Sequence, residues 1–240
     1  MADDKREPEE STERRGPDVS RMFAGMPWGT IIATVAVIAV VVIGAVFGPR
    51  LFGGDDAAAP PDASSSDPSL KIPGVVRAEY PAGDHVTGDQ RVAYDQSPPF
   101  GGAHDAVWAV CTGVVYPTAI RNENAVHSLE HGAVWITYDP ERLTADQIDG
   151  LAMIVEGQPY TMMSPYPGLD TPLSVQSWGH QLKLEDPQDP RLVEFIEALR
   201  LNESAYPEPG ASCASPYFDV DNPPAFDPTP PGPDAVPVRK

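Results

Sequence analysis

Residues 132–157 read GAVWITYDPERLTADQIDGLAMIVEG. Five of the first seven, Gly132–Tyr138, are β-branched or aromatic, which predicts a strand. Thr144 followed by Gln147 predicts a capping box, in which each side chain satisfies a backbone N–H at the helix start. Ile148, Leu151, Ala152 and Val155 then recur at helical spacing, and Gly157 is the stop. Downstream, Tyr160–Ser164 and Leu173–Leu184 read as strands, with Trp178, His180, Leu182 and Leu184 sharing a face by alternation. A second helix opens at Asp189 with Pro190 in its first turn, carries the stripe Leu192, Phe195, Ile196, Leu199, and closes at Asn202. Upstream, Val75–Tyr80 and Arg91–Tyr94 suggest short strands, and Ser97–His104 a loop with two prolines before two glycines. The pattern predicts an α+β domain over about residues 70–213, a largely antiparallel sheet with two helices on one face.

Outside this domain the composition changes. Residues 28–48, WGTIIATVAVIAVVVIGAVFG, contain no charge. As a helix they would span about 31 Å, close to a bilayer's hydrocarbon core. We therefore expect one transmembrane helix over 27–49, preceded by a disordered cytoplasmic tail (1–26) and followed by a tether (50–69). Lys5, Arg6, Arg14, Arg15 and Arg21 precede the span and only Arg50 follows it closely, which predicts an extracytoplasmic domain on the plasma membrane. The apolar run is longer than a signal peptide's, so an uncleaved signal anchor is expected. Residues 214–240 hold Pro216, Pro223, Pro224, Pro228, Pro230, Pro231, Pro233 and Pro237 and read as a disordered tail.

The formal net charge of −19 repels phosphate backbones, so nucleic acid is not an expected partner. The expected partners are the bilayer, through 27–49, and an unidentified envelope protein. There are two cysteines, Cys111 and Cys213, both on the oxidising side by this topology. That compartment favours a disulfide between them; the competing reading is one thiolate as a metal ligand.

All five histidines lie between residues 85 and 180. His127-Ser-Leu-Glu130-His131 is the dense cluster, and four-residue spacing puts both imidazoles on one face of a helical turn. His104 on its Gly-rich loop could fold over the pair, His85 and His180 are further candidates, and Met162 and Met163 offer soft sulfur. Such a group suits copper or zinc: His85, His104, His127, Glu130, His131 and Met163 are the candidate ligands. The alternative is that these side chains only fix the fold, the histidines by bonding backbone carbonyls and the methionines as core filler. His127–His131 also fits the H-x-x-E-H pattern, in which Glu130 would be the general base of a zinc protease. Gly132 follows at once, however, and a strand after it, so the long helix which that mechanism requires is not expected. The sequence has no G-x-S-x-G, G-x-G-x-x-G or P-loop.

Gly83-Asp-His85-Val, Tyr94, Pro98-Pro99 with Gly102 and His104, Val126-His127-Ser-Leu-Glu130-His131-Gly132-Ala-Val134, Tyr138, Trp178-Gly179 and Phe195-Ile196 together resemble the bacterial family catalogued as domain of unknown function 3105. The resemblance covers about residues 72–205. It implies an extracytoplasmic domain on one N-terminal span, and a grouping of His85, His104, His127, Glu130 and His131, but no activity. The chain is thus expected to be a membrane-anchored binding domain without turnover of its own, holding copper or zinc. The rivals are a structural or interaction module of the envelope and, third, the zinc protease.

Overall fold

The computed structural model describes residues 67–240. The expected cytoplasmic tail, span and nearly all of the tether lie outside these residues. Among the described residues no helix is long and apolar enough to cross a membrane.

The elements run β1 (Val76–Arg77), β2 (His85–Val86), β3 (Val92–Ala93), β4 (His104–Asp105), β5 (Thr112–Val115), α1 (Asn122–Glu130), β6 (Val134–Tyr138), α2 (Ala145–Val155), β7 (Thr161–Pro165), β8 (Leu173–Ser177), β9 (His180–Leu184), α3 (Arg191–Leu199) and β10 (Val236–Pro237). Six strands form the main sheet in the order β1-β9-β8-β6-β7-β5. The mixed α+β class agrees with the sequence reading, but the sheet is less antiparallel than expected. β6 runs parallel to β7, and β7 parallel to β5, whereas β6-β8, β8-β9 and β9-β1 are antiparallel. The cause is local. β6, α2 and β7 form a β-α-β crossover, and an intervening helix returns the chain parallel to the strand it left.

The two expected helices share one face, as read. Thr144 Oγ1 accepts from the Gln147 N–H and the Gln147 side chain accepts from the Thr144 N–H, completing the capping box. Leu151 and Val155 of α2 and Leu192, Phe195, Ile196 and Leu199 of α3 join Val134, Ile136, Met163, Leu173, Val175, Leu182 and Leu184 in one apolar cluster. Trp135 and Met162, alternate residues on β6 and β7, point the other way. There they meet Ala125, Val126 and Leu129 of α1 together with Phe100, Tyr116 and Trp178. α1 is therefore a third helix, on the opposite face, and β6 is buried along its whole length.

α1 ends in a Schellman motif: Gly132 N–H donates to Leu129 O at 2.9 Å and Ala133 N–H to Ser128 O at 3.1 Å. Gly132 has φ +90°, and a Cβ there would sit 2.7 Å from the Tyr206 ring. The motif stops the helix beside His131 and feeds the chain straight into β6. A second turn corrects the reading of 173–184 as one alternating strand. Gly179, at φ +71°, makes a tight β8–β9 hairpin with Trp178. Trp178 therefore packs with the α1 face, while Leu182 and Leu184 face α2 and α3.

The proline-rich 214–240 segment is laid against the domain instead of forming the disordered tail expected from its composition. β10 pairs with β3, Ile120 bridges Ala225, Phe226 packs at a tilt against Tyr166, and Arg239 pairs with Asp84. Proline forbids a central strand but not these short edge pairings and side-chain contacts.

Candidate metal centre

Four of the five histidines meet on the α1 side of the sheet. β2 and β4 are only two residues each, but their parallel register sets His85 directly opposite His104. His127 and Glu130 lie on α1, and His131 is its C-cap. The ring centroids form a chain: His85–His104 4.9 Å, His85–His127 4.9 Å, His104–His127 4.7 Å and His127–His131 4.6 Å. Trp178 stands against His104, and Trp108 against His127 and His131.

α1 is buried on nearly all sides, so its polar side chains must find partners inside. They lace the helix to the segment that carries His104. Asn124 donates to Val107 O, Ser128 to Ala109 O, and His127 Nδ1–H to Asp105 O at 2.6 Å. Arg121 pairs with Asp105 and Glu123, and Glu123 accepts from the Val92 N–H.

The histidines follow one rule. His104 Nδ1–H donates to Gly102 O at 2.8 Å, His127 to Asp105 O, and His131 to Ser212 O at 2.8 Å. A carbonyl only accepts, so each Nδ1 carries the proton and each neutral ring keeps its lone pair on Nε2. Second contacts of this kind are what fix metal-binding imidazoles. His127 is held neutral: burial pushes it down to about 4, the Asp105 carbonyl works against that, and the neighbouring imidazoles add to the depression. Burial likewise lowers His131, partly opposed by the Ser212 carbonyl and the Glu208 and Glu130 charges.

Glu130 is 0 % exposed. Its Oε1 accepts from the Gly83 N–H at 2.7 Å, and its Oε2 lies 2.8 Å from His104 Nε2. Yet neither Oε2 nor His104 Nε2 makes a directed hydrogen bond. Burial alone would raise the Glu130 carboxyl; the adjacent His104 ring, then the Gly83 N–H and His127, outweigh it and hold the group below its ordinary range. An ionised, buried carboxylate this close to a ring nitrogen requires positive charge between or beside them, a proton or a metal ion.

Donor atoms of His85, His104, His127 and Glu130 lie within 4.8 Å of one another, and so do those of His127, His131 and Glu208. Either group could hold a metal ion. Met163 is not in either group: it sits in the apolar cluster under α2 and α3, across the sheet. His180 is also elsewhere, donating from Nδ1 to Trp178 O with Nε2 3.3 Å from Asp67. Cys111 and Cys213 form a disulfide with Cα atoms 4.8 Å apart, leaving no free thiol to ligate. Glu208 had no sequence signal. It reaches the site because its N–H donates to Glu130 O and because the bridge at Cys213 holds the 208–213 segment beside α1.

The family described as "Protein of unknown function (DUF3105)" matches residues 85–215, more than half of the chain, and the chain belongs to it. The match begins at His85 and takes in every donor of both groups and both cysteines. No curated protein and no solved structure matches the chain.

Proposed function

Taking that membership as the premise, we propose that this is a membrane-anchored, extracytoplasmic metal-binding domain holding a transition-metal ion through His85, His104, His127 and Glu130. The observation that carries this reading is the buried pair His104 Nε2 and Glu130 Oε2, 2.8 Å apart with no directed hydrogen bond at either atom. The donor set is imidazole and carboxylate and includes no sulfur, so it suits Zn²⁺ or Cu²⁺ better than Cu⁺. The site has no turnover role in this reading. Glu130 is read as a ligand and not as a protease base, since it is wholly buried and its one unbonded oxygen faces His104. The anchor is supported by the apolar run 28–48 and by the cations before it.

The test is metal uptake by the chelator-stripped full chain in detergent, against His127→Ala. Wild type should retain Zn²⁺ or Cu²⁺ near neutral pH and the variant should not; no uptake of either ion leaves the histidines a structural role only. A reporter fused after Lys240 checks the orientation, which falls if a cytoplasm-only reporter is active there.

A further inference from the structure

The two donor groups share His127, and only one of its nitrogens is free. Its Nδ1–H is spent on the Asp105 carbonyl at 2.6 Å, which leaves one lone pair for one ion. We propose that the domain has a second cation position, on the Glu208 side of His127 and termed outer, made by His131 and Glu208 with His127, and that His127 passes a single ion between it and the first, inner position. The proposal rests on the metal-binding reading above.

The outer position is built like the inner one. Ser212 O fixes His131 Nδ1–H, which leaves Nε2 free, 3.4 Å from Glu208 Oε2, too long for a strong bond. Each position has one carboxylate, with three imidazoles at the inner and two at the outer, so formal charge alone favours neither. Each group reaches solvent through one member, His85 in the first and Glu208, 40 % exposed, in the second, while Glu130, His104, His127 and His131 are buried. The rings of His104 and His131 flank His127 at nearly equal distances, 4.7 and 4.6 Å. An ion can therefore keep its bond to His127 Nε2 while His104, His85 and Glu130 are replaced in turn by His131 and Glu208. It is never stripped of protein ligands, which is what handing an ion to or from a partner requires.

The experiment is a Co²⁺ titration of the stripped full chain in detergent, following the visible ligand-field bands and the bound stoichiometry. Wild type should take up one Co²⁺ and show two overlapping sets of bands. His131→Asn/Glu208→Gln should still take up one Co²⁺ but show a single set. Asn keeps an N–H where Nδ1 stands, so the Ser212 bond survives while the ligating nitrogen is removed. His85→Asn/Glu130→Gln should keep the complementary set. With both positions equally filled in wild type, losing one weakens overall affinity by only about twofold, so the bands are the decisive readout. Glu208→Gln alone changes a half-exposed side chain and must by itself remove the second set, should the double variant not fold. Unchanged bands in the outer variants, or two Co²⁺ bound by wild type, overturn the shared outer position while leaving metal binding intact. No Co²⁺ uptake by wild type overturns both.

Discussion

Glu130→Gln separates a metal ligand from half of a structural ion pair. The side chain is wholly buried, and Gln is nearly isosteric and keeps an oxygen for the Gly83 N–H. If Glu130 and His104 are a fold-stabilising ion pair, removing the carboxylate should cost the metal-free protein about 3–5 kcal/mol. Without metal the pair still needs a shared proton, so a metal-free loss of that size is compatible with both readings, and the Zn²⁺-induced shift decides between them. The metal-bound form should behave differently. Free metal at about 100 times Kd stabilises by roughly 2.7 kcal/mol, or about 5–11 °C in Tm at the 2–4 °C per kcal/mol usual for a domain of this size. Losing the one anionic ligand should weaken binding by at least the 10–100-fold seen for lost supporting contacts. A 100-fold loss reduces that stabilisation to about 0.4 kcal/mol. The assay is thermal unfolding of the wild-type and variant full chains in chelator and in buffered Zn²⁺. A variant whose Zn²⁺ shift is undiminished refutes the ligand assignment, whatever its stability in chelator.

Other outcomes follow from the same geometry. The Cys111–Cys213 bridge closes a loop of about 100 residues, so Cys111→Ala/Cys213→Ala should lose up to roughly 4–5 kcal/mol in urea unfolding; equal stability would mean that the loop is held without it. In the metal-free protein His127 binds its proton near pH 4 when folded but near 6.5 when unfolded, so the unfolded chain binds more protons in between. Stability should therefore fall as pH drops from about 6.5 to 4, by up to about 1.4 kcal/mol per unit from this group, and a His127→Gln variant should lack that component. Gly132→Ala should cost at least about 1–2 kcal/mol for its left-handed backbone, plus the displacement of Tyr206, whose ring lies 2.7 Å from the added methyl group; a wild-type urea midpoint would contradict this.

Much of the fold was legible because its elements repeat at regular periods. α2 and α3 show clear stripes, and the Thr144–Gln147 box marks the start of α2. α1 does not read as a full helix because five of the eight buried residues Glu123–Glu130 are polar, so no apolar stripe stands out, and its N-cap, Arg121, makes no side-chain capping bond. The sequence still showed His127 and His131 on one turn. His85 and His104 were named as candidates, but their contact depends on a two-residue parallel pairing that no periodicity can signal. Glu208 lies in an irregular segment placed by a disulfide, and its position follows from tertiary contacts alone. Met163 is not a ligand because composition tells which atoms are available but not which side of a sheet they face; alternation on β7 sends Met162 one way and Met163 the other.

The central claim is tested most directly by equilibrating the stripped full chain with Zn²⁺ and, separately, Cu²⁺, removing free ion, and measuring bound metal per chain beside His127→Ala. Wild type should hold one ion and His127→Ala close to none, because His127 serves both donor groups. Equal and negligible metal in the two proteins would contradict the account and leave the histidine chain as buried scaffolding.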